Sequence, residues 1–248
     1  MKIPLIVSLI FSSFVVAPIP VIAQEAIPEG PAPAGKPWEP AWGYWQGAPT
    51  AWQPTHWGFV KKAQAGGVDI LFLGDSITKG WSGAGKEVWE QNYAPLKALN
   101  VGIGGDTTRQ TLWRLDHKAM EGIQPRVVVL MIGVNNIFTN TGTDEEIVRG
   151  IEATVKKIQA LSPSSKVLLL GVLPVGNEAQ AARIRSINAM AAKLAGPGVT
   201  FLDMGAQFSD TAGKVDTTLY TPDLVHLAAP GYSRWSETMR PALEEVLK

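Results

Sequence analysis

From residue 61 onward, short apolar runs alternate with stretches in which apolar residues recur every three or four positions. The runs at 68–73, 99–103, 127–132, 167–172 and 199–202 are rich in branched residues and bounded by Gly, Pro or Asn, which predicts five buried strands. Helical periodicity covers 107–120, 144–161 and 178–194, and a last helix closes the chain over 232–247. Near-continuous apolar strands have no polar face to turn to water. Strands of this kind separated by helices predict an α/β fold with a parallel sheet covered on both sides. In such sheets ligands bind beyond the carboxyl ends of the strands, so the residues just after each run are where chemistry is expected.

The N-terminal quarter has a different texture. Lys2 is followed by an apolar stretch with no further charge until Glu25, and Val21-Ile22-Ala23 offers compact residues for processing. Residues 1–23 therefore read as a secretory signal peptide cleaved before Gln24, which predicts a secreted or periplasmic protein. An uncleaved anchor is the competing reading, but Pro4, Pro18 and Pro20 interrupt it, and no stable membrane insertion is expected after processing. Residues 24–60 are rich in Pro, Gly and Trp, with Trp38, Trp42, Trp45, Trp52 and Trp57 showing neither helical nor strand period. This predicts an irregular arm ahead of a catalytic domain at 61–248. A disordered linker would not carry so many large rings, so the arm is expected either to strap onto the core or to offer a stacking platform to a sugar or other apolar ligand.

Composition narrows the chemistry. The 248 residues carry 22 Lys+Arg and 22 Asp+Glu, a formal balance of zero that gives no electrostatic footprint for nucleic acid or an acidic membrane. The chain has no Cys, which removes disulfides, thiolate nucleophiles and Cys-ligated zinc, and only three His, which argues against a His-rich metal cage. No cofactor and no metal are expected. What remains is hydroxyl, imidazole, carboxylate and amide chemistry.

Those groups fall where the sheet would gather them. The first strand ends in Gly74-Asp75-Ser76-Ile77-Thr78, putting a hydroxyl and a backbone N–H at a strand's carboxyl end, although Asp-Ser here could equally cap a helix. The second leads into Gly102-Ile103-Gly104-Gly105-Asp106-Thr107, either a tight turn capped by Asp106 or Thr107 or a loop whose N–H faces an oxyanion. It lacks the third glycine of a dinucleotide loop. The third ends in Gly133-Val134-Asn135-Asn136, where a side-chain amide can donate to developing negative charge. Near the end, Asp223 and His226 stand three apart, so that the carboxylate can fix the tautomer of an imidazole acting as base toward Ser76. Asp203 and Asp216 lie nearby as alternative third members. His56 and His117 lack a strand-end context, and His117, between Asp116 and Lys118, reads as part of a solvated helix face.

This order of Ser76, Gly105, Asn135 and His226 resembles the SGNH (GDSL-like) hydrolase superfamily over residues 56–247. More narrowly, Gly-Ile-Gly-Gly-Asp-Thr-Thr-Arg at 102–109, Leu-Trp-Arg-Leu at 112–115, Gly-Val-Asn-Asn at 133–136 and Leu173-Pro174 are similar to the catalytic subunits of platelet-activating-factor acetylhydrolase, with Val134 where those often carry Thr. The resemblance implies a three-layer α/β/α flavodoxin-like fold and a metal-free serine esterase. Ser76, Asp223 and His226 would be catalytic, with the N–H groups of Ser76 and Gly105 and the Asn135 amide as oxyanion hole. The export signal and Trp arm point away from a lipid mediator and toward short-chain, acetyl esters of carbohydrates. A phospholipase-type lipid esterase and a non-catalytic carbohydrate-binding protein on the same scaffold are the alternatives, and acyl transfer to a sugar hydroxyl would use the same acyl-enzyme. The oligomeric state is not legible in the sequence.

Overall fold

The computed structural model describes residues 30–43 and 51–248; the predicted signal peptide and Trp45 lie outside them. Five strands, β1 (Ile70–Gly74), β2 (Ala98–Asn100), β3 (Val127–Met131), β4 (Lys166–Leu170) and β5 (Val199–Leu202), form one all-parallel sheet in the order β2-β1-β3-β4-β5. This is the flavodoxin-like order, in which the chain runs to opposite sides of the β1/β3 pair and leaves a crevice at their carboxyl ends. Every residue of β1 and β3 is buried, so both faces of the sheet centre are covered. The edge strands differ from the expectation of five buried strands. β2 is half-buried throughout and β5 buries only Val199, because each has a neighbour on one side alone.

The long helices follow their amphipathic patterns. α6 (Asp144–Leu161) begins at a Thr143–Glu146 capping box and buries Ile147, Ile151, Val155 and Ile158 along one stripe. It lies against α4 (Thr108–Asp116) and α7 (Glu178–Ala191), while α8 (Ala229–Val246) packs on β4, β5 and α3 (Lys86–Asn92). α4 is shorter than its sequence period predicts, because His117 leaves helical geometry and Lys118 takes a positive φ of 71°. Two short helices, α2 (Ser76–Lys79) and α5 (Val134–Phe138), follow β1 and β3 directly. Behind α2, Phe72, Trp81, Trp89, Tyr93, Tyr232 and Trp235 form one aromatic cluster, and the Tyr232 hydroxyl donates to the Ile77 carbonyl at 2.7 Å. The cluster ties α8 to the turn that carries Ser76.

The expectation of an irregular arm through residue 60 is corrected by α1 (Trp52–Gln64), whose buried Trp52, His56, Trp57, Val60 and Ala63 recur at helical spacing. Pro54 hides this pattern in the sequence, yet it sits in the first turn, where an N–H has no intrahelical partner to lose. Residues 30–43 are irregular and lie against α4. Thr108 Oγ1 donates to the Pro37 carbonyl at 2.7 Å, Arg109 Nε to that of Glu39 at 2.9 Å, and the Arg149 guanidinium stacks on Trp38 at 3.7 Å. Trp52 is fully buried and Trp57 nearly so, which removes both from any exposed sugar platform.

His56 is fully buried, and its Nε2 lies 2.8 Å from the His117 carbonyl, so Nε2 carries the proton. His117 itself is half-buried, its ring stacked on Trp113 at 3.6 Å, rather than on a solvated face. Burial, reinforced by the Arg114 charge, pushes the His56 imidazole down to about 3. The folded chain therefore holds it neutral, whereas an unfolded histidine protonates below about 6.5. Between these values the unfolded state binds the extra proton, so stability decreases as the pH is lowered. Relative to a His56→Gln variant, the parent should lose about 2 kcal/mol of unfolding free energy between about pH 7 and about pH 5, measured by urea denaturation.

Candidate active site

The parallel register aligns Gly74 of β1 with Met131 of β3, so the turns after both strands open into the same crevice. Asp75 leaves the strand and accepts the Ile77 N–H at 2.9 Å, capping α2, with Ser76 as its first residue. Ser76 is only half-buried, and its Oγ lies 2.9 Å from His226 Nε2. The ring's other nitrogen, Nδ1, lies 2.7 Å from Asp223 Oδ2. An ionised carboxylate accepts only, so Nδ1 carries the proton and Nε2 is left to receive one from Ser76. Asp223 Oδ1 is also an acceptor, taking the N–H groups of Val225 and His226 at 2.9 Å each and the Thr221 hydroxyl at 2.8 Å. Partial burial would raise this carboxyl, but the bonds from His226, Val225 and Thr221 outweigh it and hold the group well below the usual carboxylate range. Of the alternatives, Asp203 caps Gly205 and Asp216 caps Thr218; neither has a hydrogen bond to His226.

On the other side of Ser76 runs the loop after β2. Its turn closes with Asp106 N–H donating to the Ile103 carbonyl at 3.3 Å, and Gly105 at the third position has φ 79°, a conformation that costs a glycine little. Gly105 is exposed, and the neighbouring Gly104 faces the Ser76 side chain. Asn135, in the first turn of α5, donates one Nδ2 hydrogen to the Asp106 carbonyl at 3.0 Å, which leaves the second for a ligand. Asn136 is fully buried and unites the two loops: its Oδ1 accepts the Thr108 N–H and its Nδ2 donates to Thr108 Oγ1, both at 3.1 Å. The sequence marked the amide pair but not this bridging role, whose signal is the second amide directly after the first.

Two buried carboxylates flank the site. Burial pushes Asp75 up to about 7, against the Ile77 N–H that favours its charged form and with the nearby Asp106 adding to the rise. Burial pushes Asp106 up to about 6, with Arg114 and Trp52 holding it from going higher, so near neutrality Asp106 is an anion facing a cation. Among the described residues no group of three or more His, Cys, Asp or Glu is gathered that could hold a metal ion.

A sequence profile of the GDSL-like Lipase/Acylhydrolase family matches residues 72–234, a span that takes in Ser76, the Gly105 loop, Asn135, Asp223 and His226. The chain belongs to this family. This GDSL-like hydrolase is 34% identical over 203 residues to the platelet-activating factor acetylhydrolase IB subunit alpha2 of Rattus norvegicus, covering 79% of this chain and 85% of the relative. In fold it matches a GDSL-like lipase from Bacteroides thetaiotaomicron (TM-score 0.61, 24% identity, 75% of this chain and 90% of the other). It also matches an acetylxylan esterase, crystallised as a catalytic mutant, from Geobacillus stearothermophilus (TM-score 0.58, 20% identity, 73% and 94%). As a GDSL-like acylhydrolase the protein is a carboxylic ester hydrolase, and a hydroxyl, an imidazole and a carboxylate in series can perform acyl transfer. Replacing the imidazole's partner should matter at one position alone. Asp223→Asn is expected to lower kcat at least about a thousandfold, while Asp203→Asn and Asp216→Asn stay within about threefold of the parent in steady-state ester hydrolysis.

Proposed function

We propose that this acylhydrolase is an exported esterase that removes short acyl groups, acetyl foremost, from carbohydrates or similarly polar alcohols. Ser76 Oγ attacks the ester carbonyl carbon as its proton passes to His226 Nε2. The carbonyl oxygen becomes an oxyanion held by the N–H groups of Ser76 and Gly105 and by Asn135 Nδ2. Collapse breaks the bond to the alcohol, which leaves with the proton from His226 and an acyl group on Ser76. Water, deprotonated by the same imidazole, then releases the acid and restores the serine. Asp223 keeps Nδ1 protonated and balances the imidazolium.

The observation that carries the substrate class is the cavity beside Gly105. It holds about 220 Å³ and is lined in large part by polar residues, among them Thr107, Arg109, Gln110, Thr139 and Thr141. The hydroxyl, amide and guanidinium groups of this wall offer hydrogen bonds to the hydroxyl groups of a polar substrate. The side chains of His226 and Asp223 are 45% and 50% exposed, which leaves the alcohol side open to a bulky group. Acetyl as the acyl group is supported by the acetylhydrolase relatives, and export by the apolar segment at 1–23.

Two measurements test this. Across a series of esters, kcat/KM should be highest for acetyl and fall by about tenfold or more at long chains, with acetylated oligosaccharides outrunning lipid esters. A rate that climbs with chain length would make it a lipid esterase, and an oligosaccharide bound but not turned over would make it a binding protein. N-terminal sequencing of the protein recovered from its producing cells should begin at Gln24; a chain that still begins at Met1 would overturn the export reading.

A further inference from the structure

The buried Asp106 takes part in two sets of contacts at once. Through its side chain it is anchored: Oδ1 accepts the Trp52 Nε1–H at 2.7 Å and Oδ2 the Arg114 Nη1–H at 2.9 Å, in a pair with no solvent exposure. Arg114 is itself tied back to the Val101 carbonyl, at the start of the same loop. Through its backbone, Asp106 supports the site. Its carbonyl orients the Asn135 amide at 3.0 Å, and its N–H closes the turn that presents Gly105. Trp52 is the first residue of α1, fully buried and edge-on to Trp113 with ring centres 5.3 Å apart. Gly43 crosses its indole so closely that no side chain would fit there. Among the described residues, the N-terminal segment thus reaches the Gly105 loop through the Trp52–Asp106 hydrogen bond.

We propose that Trp52 and Arg114 are positioning residues for the oxyanion hole, acting through Asp106, and that the N-terminal segment is thereby part of the catalytic apparatus rather than a covering of the core alone. The inference rests on the reading of Gly105 and Asn135 as oxyanion donors given above. A buried carboxylate oxygen deprived of its donor must find another partner, and the loop that carries it moves to do so. Because the donors act on charge that develops only in the transition state, their displacement lowers kcat and kcat/KM together and leaves KM nearly unchanged.

The test replaces Trp52 with β-(3-benzothienyl)alanine, which keeps the ring's shape and lacks the N–H, with the same replacement at Trp57 of the same helix as control. Trp52→Phe serves as the coded counterpart. Active sites are counted by titration with a serine-directed phosphonate, so that loss of folded protein does not enter. The expected result is a fall of about tenfold in kcat per site at position 52, with KM within about twofold, and no change at position 57. A kcat per site within about threefold of the parent would overturn the inference, as would an equal loss at position 57, which would mean general loosening of the helix. A parent that turns over esters without phosphonate labelling at Ser76 would instead overturn the reading of the site itself.

Discussion

The register of β1 against β3 is the constraint on which the site depends. Parallel pairing of Ile70 through Gly74 with Val127 through Met131 ends both strands at one level, and each feeds at once into a short helix. A slip of one residue would turn every buried side chain to the opposite face and carry Ser76 away from Asn135. All five residues of both strands are buried, so a slip would force both faces of the sheet centre to repack against the covering helices. Chemistry at the edge is thus specified by packing at the centre.

Three supports hold the remaining groups to that frame. The Tyr232 hydroxyl binds the Ile77 carbonyl, so the helix after His226 is locked to the helix that starts with Ser76. Asp223 folds its own turn by accepting two backbone N–H groups while its second oxygen holds the imidazole, which couples local loop geometry to tautomer choice. The Asp106 carboxylate, paired with Arg114 in a site without solvent, anchors the loop between them. A buried ion pair of this kind contributes little net stability, but removal of either partner leaves an uncompensated charge, so it enforces one loop conformation.

Much of this was legible in the sequence. The strand runs fell on the five strands, α6 spans the residues its period predicts, and Ser76 and His226, 150 residues apart in the chain, lie at 2.9 Å. Tertiary contacts hid the rest. α1 was obscured by Pro54 and Gly58, residues with low helix propensity, and its identity comes from the five side chains it buries, with Trp52 and His56 set against Trp113 of α4. Arg114 looks in sequence like one cation in a helix. Only the fold shows that it points inward to Asp106, a partner eight residues away across the loop-to-helix junction. Asn136 was likewise visible as a residue type but not as the bridge to Thr108.

The central claim is that the hydroxyl at the end of β1 becomes acylated during turnover. Rapid quenching of the protein during turnover of an acetyl ester, followed by peptide mass spectrometry, tests it directly. One acetyl group should appear on the peptide carrying Ser76, at a level that rises when deacylation is slowed, and nowhere else. An acetyl group on another residue, or turnover with no covalent intermediate under any quench, would contradict the account.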